Sequence, residues 1–227
     1  MAEQKVIRTI RSFVRRQGRL TPGQQRALDE LWPLYAIDDG DSLLDLNHLF
    51  NRQARKVIEI GFGNGASLAQ MAKSEPDTDF LGIEVHRPGV GQLLNLIEEN
   101  RLSNLKVACT DAVELLKHRI ADNSLDRLQL FFPDPWHKKR HHKRRIIQPD
   151  FVRLLAKKIK VGGHLHIATD WQHYAEQILL DFSDNTSFEN CADDKYIPRP
   201  DYRPLTKFEH RGQKLGHGIW DLLYKRQ

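Results

Sequence analysis

From Lys56 onward, apolar runs of strand length alternate with segments of helical periodicity, and no other feature of the chain constrains its fold as strongly. The runs are Val57 to Ile60, Phe80 to Val85, Leu105 to Cys109, Leu125 to Phe132 and Leu165 to Ala168. Each is short and mostly apolar, the pattern of strands in a largely covered sheet, though Leu125 to Phe132 also carries Asp126, Arg127 and Gln129. Between them, apolar spacing predicts helices over Ser67 to Lys73, Gly91 to Asn100, Val113 to Ile120, Pro149 to Lys160 and Trp171 to Phe182, with Gly162-Gly163 ending the fourth. Strands joined through helices imply right-handed crossovers and a mainly parallel sheet with helices on both faces, an α/β fold. After Asp184 the pattern weakens, Pro198, Pro200 and Pro204 mark a loop, and a last strand is expected over Ile219 to Tyr224.

Ahead of this domain, taken as residues 51–227, residues 1–50 read as a basic helical extension. Lys5 to Leu20 places Ile7, Ile10 and Val14 at helical spacing beside Arg8, Arg11, Arg15 and Arg19, which predicts a short amphipathic arm. Thr21-Pro22-Gly23-Gln24 has the form of a capping box with proline at the first helical position. A helix to about Trp32 follows, and another is expected over Leu43 to Phe50.

Charge is unevenly placed. His137 to Arg145 (HKKRHHKRR) carries six Lys or Arg and no acid, and the remaining 29 basic residues are matched by 30 acidic ones, so the formal +5 resides in one stretch. That stretch suits a polyanionic partner. Cys109 and Cys191 are too few for a disulfide framework and read as reduced core thiols, which points to the cytoplasm. No apolar run has the length of a membrane span, and no secretory signal opens the chain. His137, His141 and His142 lack cysteine or carboxylate partners at ligand spacing, so no metal is expected. Monomer and homodimer both remain open.

In an open parallel sheet, ligands sit beyond the carboxyl ends of the strands, so polar residues there are the site candidates. The first strand runs out through Glu59-Ile60-Gly61-Phe62-Gly63-Asn64-Gly65, a glycine-rich turn that lets backbone approach a ligand. The second ends at Glu84, 19 residues after Gly65, the spacing of a carboxylate that takes a ribose diol. Asp111 follows the third strand and can accept from an adenine amine. The glycines run G-x-G-x-G rather than G-x-G-x-x-G, and Glu59 would repel a pyrophosphate but attract an ammonium; S-adenosylmethionine is therefore favoured over a nicotinamide dinucleotide. At the fourth strand, two prolines in Pro133-Asp134-Pro135-Trp136 stiffen the loop around Asp134, and Trp136 offers a face for an unpaired base.

These motifs, together with Asp134-Pro135-Trp136 and Lys138, Ala168-Thr169-Asp170 and Thr206-Lys207-Phe208-Glu209, resemble the bacterial tRNA (guanine-N7-)-methyltransferase (TrmB) family over nearly the whole chain. The resemblance implies a Rossmann-like class I methyltransferase fold with a seven-stranded sheet. It also implies S-adenosylmethionine as cofactor and a variable-loop guanine of tRNA as target. By position it assigns Glu59, Gly61, Gly63, Glu84, Asp111 and Asp134 to the cofactor, with Asp134 also the catalytic acid. Lys138, Asp170, Thr206, Lys207, Phe208 and Glu209 would hold the guanine, although from the residues alone Thr206 to Glu209 reads as a capping box. Arg140, His141, His142, Lys143, Arg144 and Arg145 would contact RNA. Two other classes stay open on the residues: an exocyclic-amine methyltransferase, and a non-enzymatic RNA-binding module.

Overall fold

The computed structural model describes residues 11–13, 18–38, 40–206, 209 and 218–227. The chain opens with α1 (Pro22–Glu30), α2 (Trp32–Tyr35) and α3 (Leu46–Phe50). Thr21 and Gln24 close the expected capping box at α1, each side chain accepting from the other's backbone amide at 3.3 and 3.0 Å. Helix α3 begins three residues later than the apolar pattern suggested, because Asp45 accepts from the amides of Asn47 and His48 and fixes the start there.

The alternation then unfolds as β1 (Arg55–Ile60), α4 (Ala66–Ser74), β2 (Thr78–Ile83), α5 (Arg87–Asn100), β3 (Leu105–Ala108), α6 (Ala112–Arg119) and β4 (Leu125–Phe131). A short 3-10 turn over Lys139–Arg144 leads to α7 (Pro149–Lys158), β5 (Ile159–Thr169), α8 (Gln172–Ser183), β6 (Phe188–Asn190) and β7 (Trp220–Arg226). Among the described residues seven strands make one sheet, ordered β3-β2-β1-β4-β5-β7-β6. Strands β1 to β5 pair in parallel, and β7 runs antiparallel to both β5 and β6. Strand order reverses between β1 and β4, which opens a crevice above their carboxyl ends.

Both faces are covered because the strands are apolar on both faces. Val57 of β1 joins Leu68 and Met71 of α4 and Val90, Leu93 and Ile97 of α5 on one side. Ile58 and Ile60 face Leu115 and Leu116 of α6, Leu155 of α7 and Ile178 of α8 on the other. Val90, Leu93, Leu94 and Ile97 are wholly buried, and each such side chain contributes about 1.5–3 kcal/mol. No helix among the described residues is long and apolar enough to cross a membrane.

Three expectations change. Gly162-Gly163 does not end the fourth domain helix; α7 stops at Lys158, and the glycines lie inside β5. The amides of Asn123 and Ser124 bond the carbonyls of Lys157 and Lys158 and so take up the helix end. Leu125 pairs with Ile159 but Arg127 with His164, so the surplus residues of β5 bulge out, with Gly162 at φ +81°. Strand β6 lacks an apolar run and escaped the pattern, since a three-residue edge strand has little to bury. Cys191, at the end of that edge, is exposed rather than a core thiol. Most of the predicted arm lies outside the described residues.

Candidate active site

At the β1–α4 turn, Gly61, Gly63 and Gly65 all have positive φ, at 73°, 62° and 77°. Only glycine takes three such positions in five residues without strain. The turn also packs against α5. A Cβ on Gly89 would stand 2.0 Å from the Gly63 carbonyl oxygen, a backbone atom that cannot yield. Gly89→Ala is therefore expected to lower stability by about 1–3 kcal/mol. Gly23→Ala, where a Cβ meets nothing within 4 Å, should leave it unchanged or slightly higher. Paired urea denaturation curves measure the contrast.

A cavity of about 520 Å³ lies over the carboxyl ends of β1 to β4. Gly61 and Gly63, Glu84, Asp111 and Asp134 all line it, so five of the six residues expected at the cofactor meet there. The Glu84 carboxylate accepts from the amides of Val85 (2.7 Å), His86 (3.0 Å) and Gly63 (3.0 Å). It therefore joins the glycine turn to the start of α5. Asp111 caps α6, accepting from the Val113 amide at 3.0 Å.

Glu59 is the sixth. It lies behind the cavity wall, 3% exposed, and its Oε2 accepts from the Gln129 amide nitrogen at 2.7 Å. Burial pushes its carboxyl up to about 7, against the lowering effect of Gln129 and Arg127. Sequence reasoning missed Gln129, although a glutamine inside an apolar strand was a visible signal.

Asp134 is exposed, in contrast to the bonded Glu84 and Asp111. Its loop is held by unusual backbone: Phe132 and Trp136, on either side of Pro133-Asp134-Pro135, have φ of 53° and 47°. Bulky residues rarely enter the left-handed region, at a cost of about 1–3 kcal/mol each. The surroundings enforce it. The Phe132 amide bonds the Ala168 carbonyl at 2.8 Å, and the Trp136 indole donates to the Ser12 carbonyl at 3.2 Å. Arg145 donates through Nε to the Pro135 carbonyl at 2.7 Å.

That last hydrogen bond corrects an expectation. Arg145 is 2% exposed, so it is no surface contact for RNA. Its guanidinium lies 4.6 Å from the Tyr174 ring centroid and also bonds Gln177. The rest of the basic stretch stays nearer solvent: Lys138 and Arg140 are exposed, as is Lys143, while His141, His142 and Arg144 are half-buried. Arg144 covers one face of Trp136 at 4.2 Å, a face the sequence had offered to a base. Burial and the neighbouring cations hold His141 and His142 below the ordinary histidine pKa.

The residues expected at the guanine are less gathered. Lys138 and Asp170 are exposed at the same end of the sheet but outside the cavity wall. Thr206 and Glu209 form the capping box read from the residues, at 2.8 and 3.1 Å. Glu209 is 1% exposed and pairs with Arg203 at 2.7 Å. Lys207 and Phe208 lie outside the described residues. Arg203 belongs to a network the sequence did not announce: it grips Asp221 through Nε and Nη2 at 2.7 and 2.8 Å. His166 meets the same carboxylate at 2.8 Å, and Tyr202 meets the other nitrogen of its ring at 2.9 Å.

A family model described as a putative methyltransferase matches residues 53–222. A tRNA (guanine-N(7)-)-methyltransferase of Aeromonas hydrophila subsp. hydrophila is 58% identical over 98% of this chain and 94% of its own length. One from Methylobacillus flagellatus is 58% identical over 99% of this chain and 94% of its own. The chain belongs to the tRNA (guanine-N7-)-methyltransferase family. Solved structures extend the fold more widely: the 16S rRNA methyltransferase KamB aligns with a TM-score of 0.60 at 12% identity, over 82% of this chain and 94% of that one. The fold is thus that of the class I methyltransferases.

Family membership makes S-adenosylmethionine the cofactor to test against this cavity. The open space above Gly61 and Gly63, where an added Cβ meets nothing within 4 Å, and the rim of carboxylates from three strand ends fit an adenosyl group carrying an ammonium. Among the described residues no cluster of three metal-ligating side chains occurs.

Proposed function

We propose that this chain methylates N7 of a variable-loop guanine in tRNA, with S-adenosylmethionine as the methyl donor. The observation that carries the reading is the cavity in which Glu84, Asp111 and Asp134 converge, with an exposed basic turn leading directly away from Asp134. When bound, S-adenosylmethionine supplies an electrophilic methyl on a sulfonium. Glu84 takes the ribose hydroxyls on lone pairs left by its three amide donors, Asp111 takes the adenine amine, and Glu59 attracts the ammonium from behind the glycine turn. Guanine N7 holds a lone pair and no proton, so no general base is needed. Alignment and electrostatics supply the rate.

Asp134, fixed by its strained loop, accepts hydrogen bonds from guanine or cofactor amines and offsets the positive charge that moves from sulfur to the purine. Lys138, Asp170 and Thr206 to Glu209 complete the guanine's surroundings. Arg140, Lys143 and Arg144, with His141 and His142, face the phosphates. Methyl transfer from labelled S-adenosylmethionine to unmodified tRNA, followed by nucleoside analysis, tests the reading. Label in 7-methylguanosine is the expected result; label in an exocyclic-amine product would replace it with the amine methyltransferase, and RNA binding with no label would leave the binding module.

Two further outcomes are expected. Glu59 is protonated below about 7 and ionised above it, and only the carboxylate pairs with an ammonium. S-adenosylmethionine affinity should therefore rise between pH 6 and pH 8, and Glu59→Gln should flatten the profile; calorimetric titration at both pH values reads it. Replacing Lys139, Arg140 and Lys143 with Ala should weaken binding to any RNA and reduce the salt slope by about one for each phosphate left without its cation. A slope equal to that of the unaltered protein would mark the turn as ordinary solvated surface.

A further inference from the structure

We propose that Trp171 and His137 form a stacking subsite for an unpaired nucleobase adjacent to the methylated guanine. The inference rests on the tRNA reading above and adds two residues that the reading leaves unused.

Trp171 is 38% exposed and is the one aromatic among the large apolar side chains exposed in the described residues. Its backbone is fixed. The Trp171 amide donates to Thr169 Oγ1 at 3.2 Å, and its carbonyl accepts from the amides of Tyr174 and Ala175 at 2.9 and 3.1 Å as α8 begins. A tryptophan with its backbone anchored at a helix start has only its two side-chain torsions left to order when a planar ligand settles on it.

The His137 ring meets the indole edge-on, with centroids 4.2 Å apart and planes at 73°. Two rings set nearly at right angles make a corner. A base lying on one face turns its edge toward the other ring, an arrangement that any purine or pyrimidine satisfies.

The corner is at the correct end of the sheet. Thr169 ends β5, and His137 stands three residues beyond Asp134, so their Cα atoms are at most about 11 Å apart. A base here belongs to a nucleotide beside the one in the cavity. The charge around the corner selects the occupant: Lys138, Lys139 and Arg140 follow His137, and Asp170 and Gln172 flank Trp171, all exposed. An indole alone among polar side chains is no apolar patch for a protein partner, whereas a base arrives with the phosphates those cations match.

The test compares the unaltered enzyme with Trp171→Leu, which keeps apolar bulk without a π face, and Trp171→Phe, which keeps part of the face. Each is assayed on unmodified tRNA and on transcripts with an abasic nucleotide on one or the other side of the target guanine. Trp171→Leu should raise KM for intact tRNA about tenfold, with Trp171→Phe between, leaving saturated kcat and S-adenosylmethionine affinity unchanged. One abasic transcript should cost the unaltered enzyme a similar factor and cost Trp171→Leu nothing further. Equal KM values, or an abasic penalty as large in Trp171→Leu as in the unaltered enzyme, would overturn the subsite. Failure of the unaltered enzyme to methylate tRNA would remove both proposals and is seen before any variant is made.

Discussion

Asp134→Asn should lower the single-turnover rate of methyl transfer by about 100- to 1,000-fold, the range for loss of one preorganised electrostatic group, while tRNA and S-adenosylmethionine affinities change far less. Asparagine is isosteric and leaves Pro133, Pro135 and the contacts of Phe132 and Trp136 in place, so the loop keeps its shape. What it loses is the charge, and one of its two acceptors becomes a donor. An attacking N7 with no proton gives a base nothing to remove, so the rate effect belongs to charge placement. Rapid-quench methyl transfer with enzyme in excess gives the rate, and filter binding gives the affinity. Equal losses in both would make Asp134 a binding residue and would leave the strained backbone on either side of it without a catalytic reason.

Asp221→Ala should destabilise the protein more than any other single change considered, by about 3–5 kcal/mol, because it removes the acceptor shared by buried Arg203 and His166 and leaves Glu209 alone to balance the guanidinium. For a chain of this size that is a fall in Tm of roughly 6–20 °C. Burial pushes the Asp221 carboxyl up, but the bonds from His166 and Arg203 outweigh it and hold it below the usual carboxylate range. Its stabilisation is therefore complete above the unfolded pKa and is lost as pH falls through the lower folded one. Burial likewise holds His166 below the ordinary histidine value; the folded chain binds that proton less well than the unfolded one, so stability also falls as pH drops below about 6.5. Both groups act in the same direction. A neutral His166 donates through Nε2 to Asp221 and accepts from the Tyr202 hydroxyl at Nδ1, consistent with both distances. Thermal melts from pH 4 to pH 8 should show stability declining toward acid in the unaltered protein. Asp221→Ala should start lower and decline more steeply below about pH 6.5, because the lost carboxylate no longer raises His166 and burial then holds that imidazole further below its ordinary value.

The consequence of that network lies close to the site. Arg203 is 5.6 and 5.7 Å from the ring centroids of Phe131 and Phe132, the residues that carry β4 into the Asp134 loop. It also holds Glu209, so the Thr206–Glu209 box is tied to the strand that presents the Asp134 loop.

Apart from β6, the order of strands and helices in the sheet domain, the glycine turn and the line of carboxylates at strand ends were legible in the sequence. They depend on local periodicity and on residues a few positions apart, and a strand covered on both faces carries its own signature. The stiffness of the Asp134 loop was legible in part, through two prolines; the positive φ of Phe132 and Trp136 was not, since nothing in an aromatic residue announces a left-handed backbone. Only tertiary structure decided which charges face inward. Arg145 sits in a run of cations that reads as surface, yet it is buried because Pro135 and Gln177 reach it from 10 and 32 residues away. Asp221 meets Arg203 across 18 residues and His166 across 55. A buried charge is stable only with its partners in place, and those partners are brought together by strand register and loop closure, which the spacing of residues along the chain does not encode.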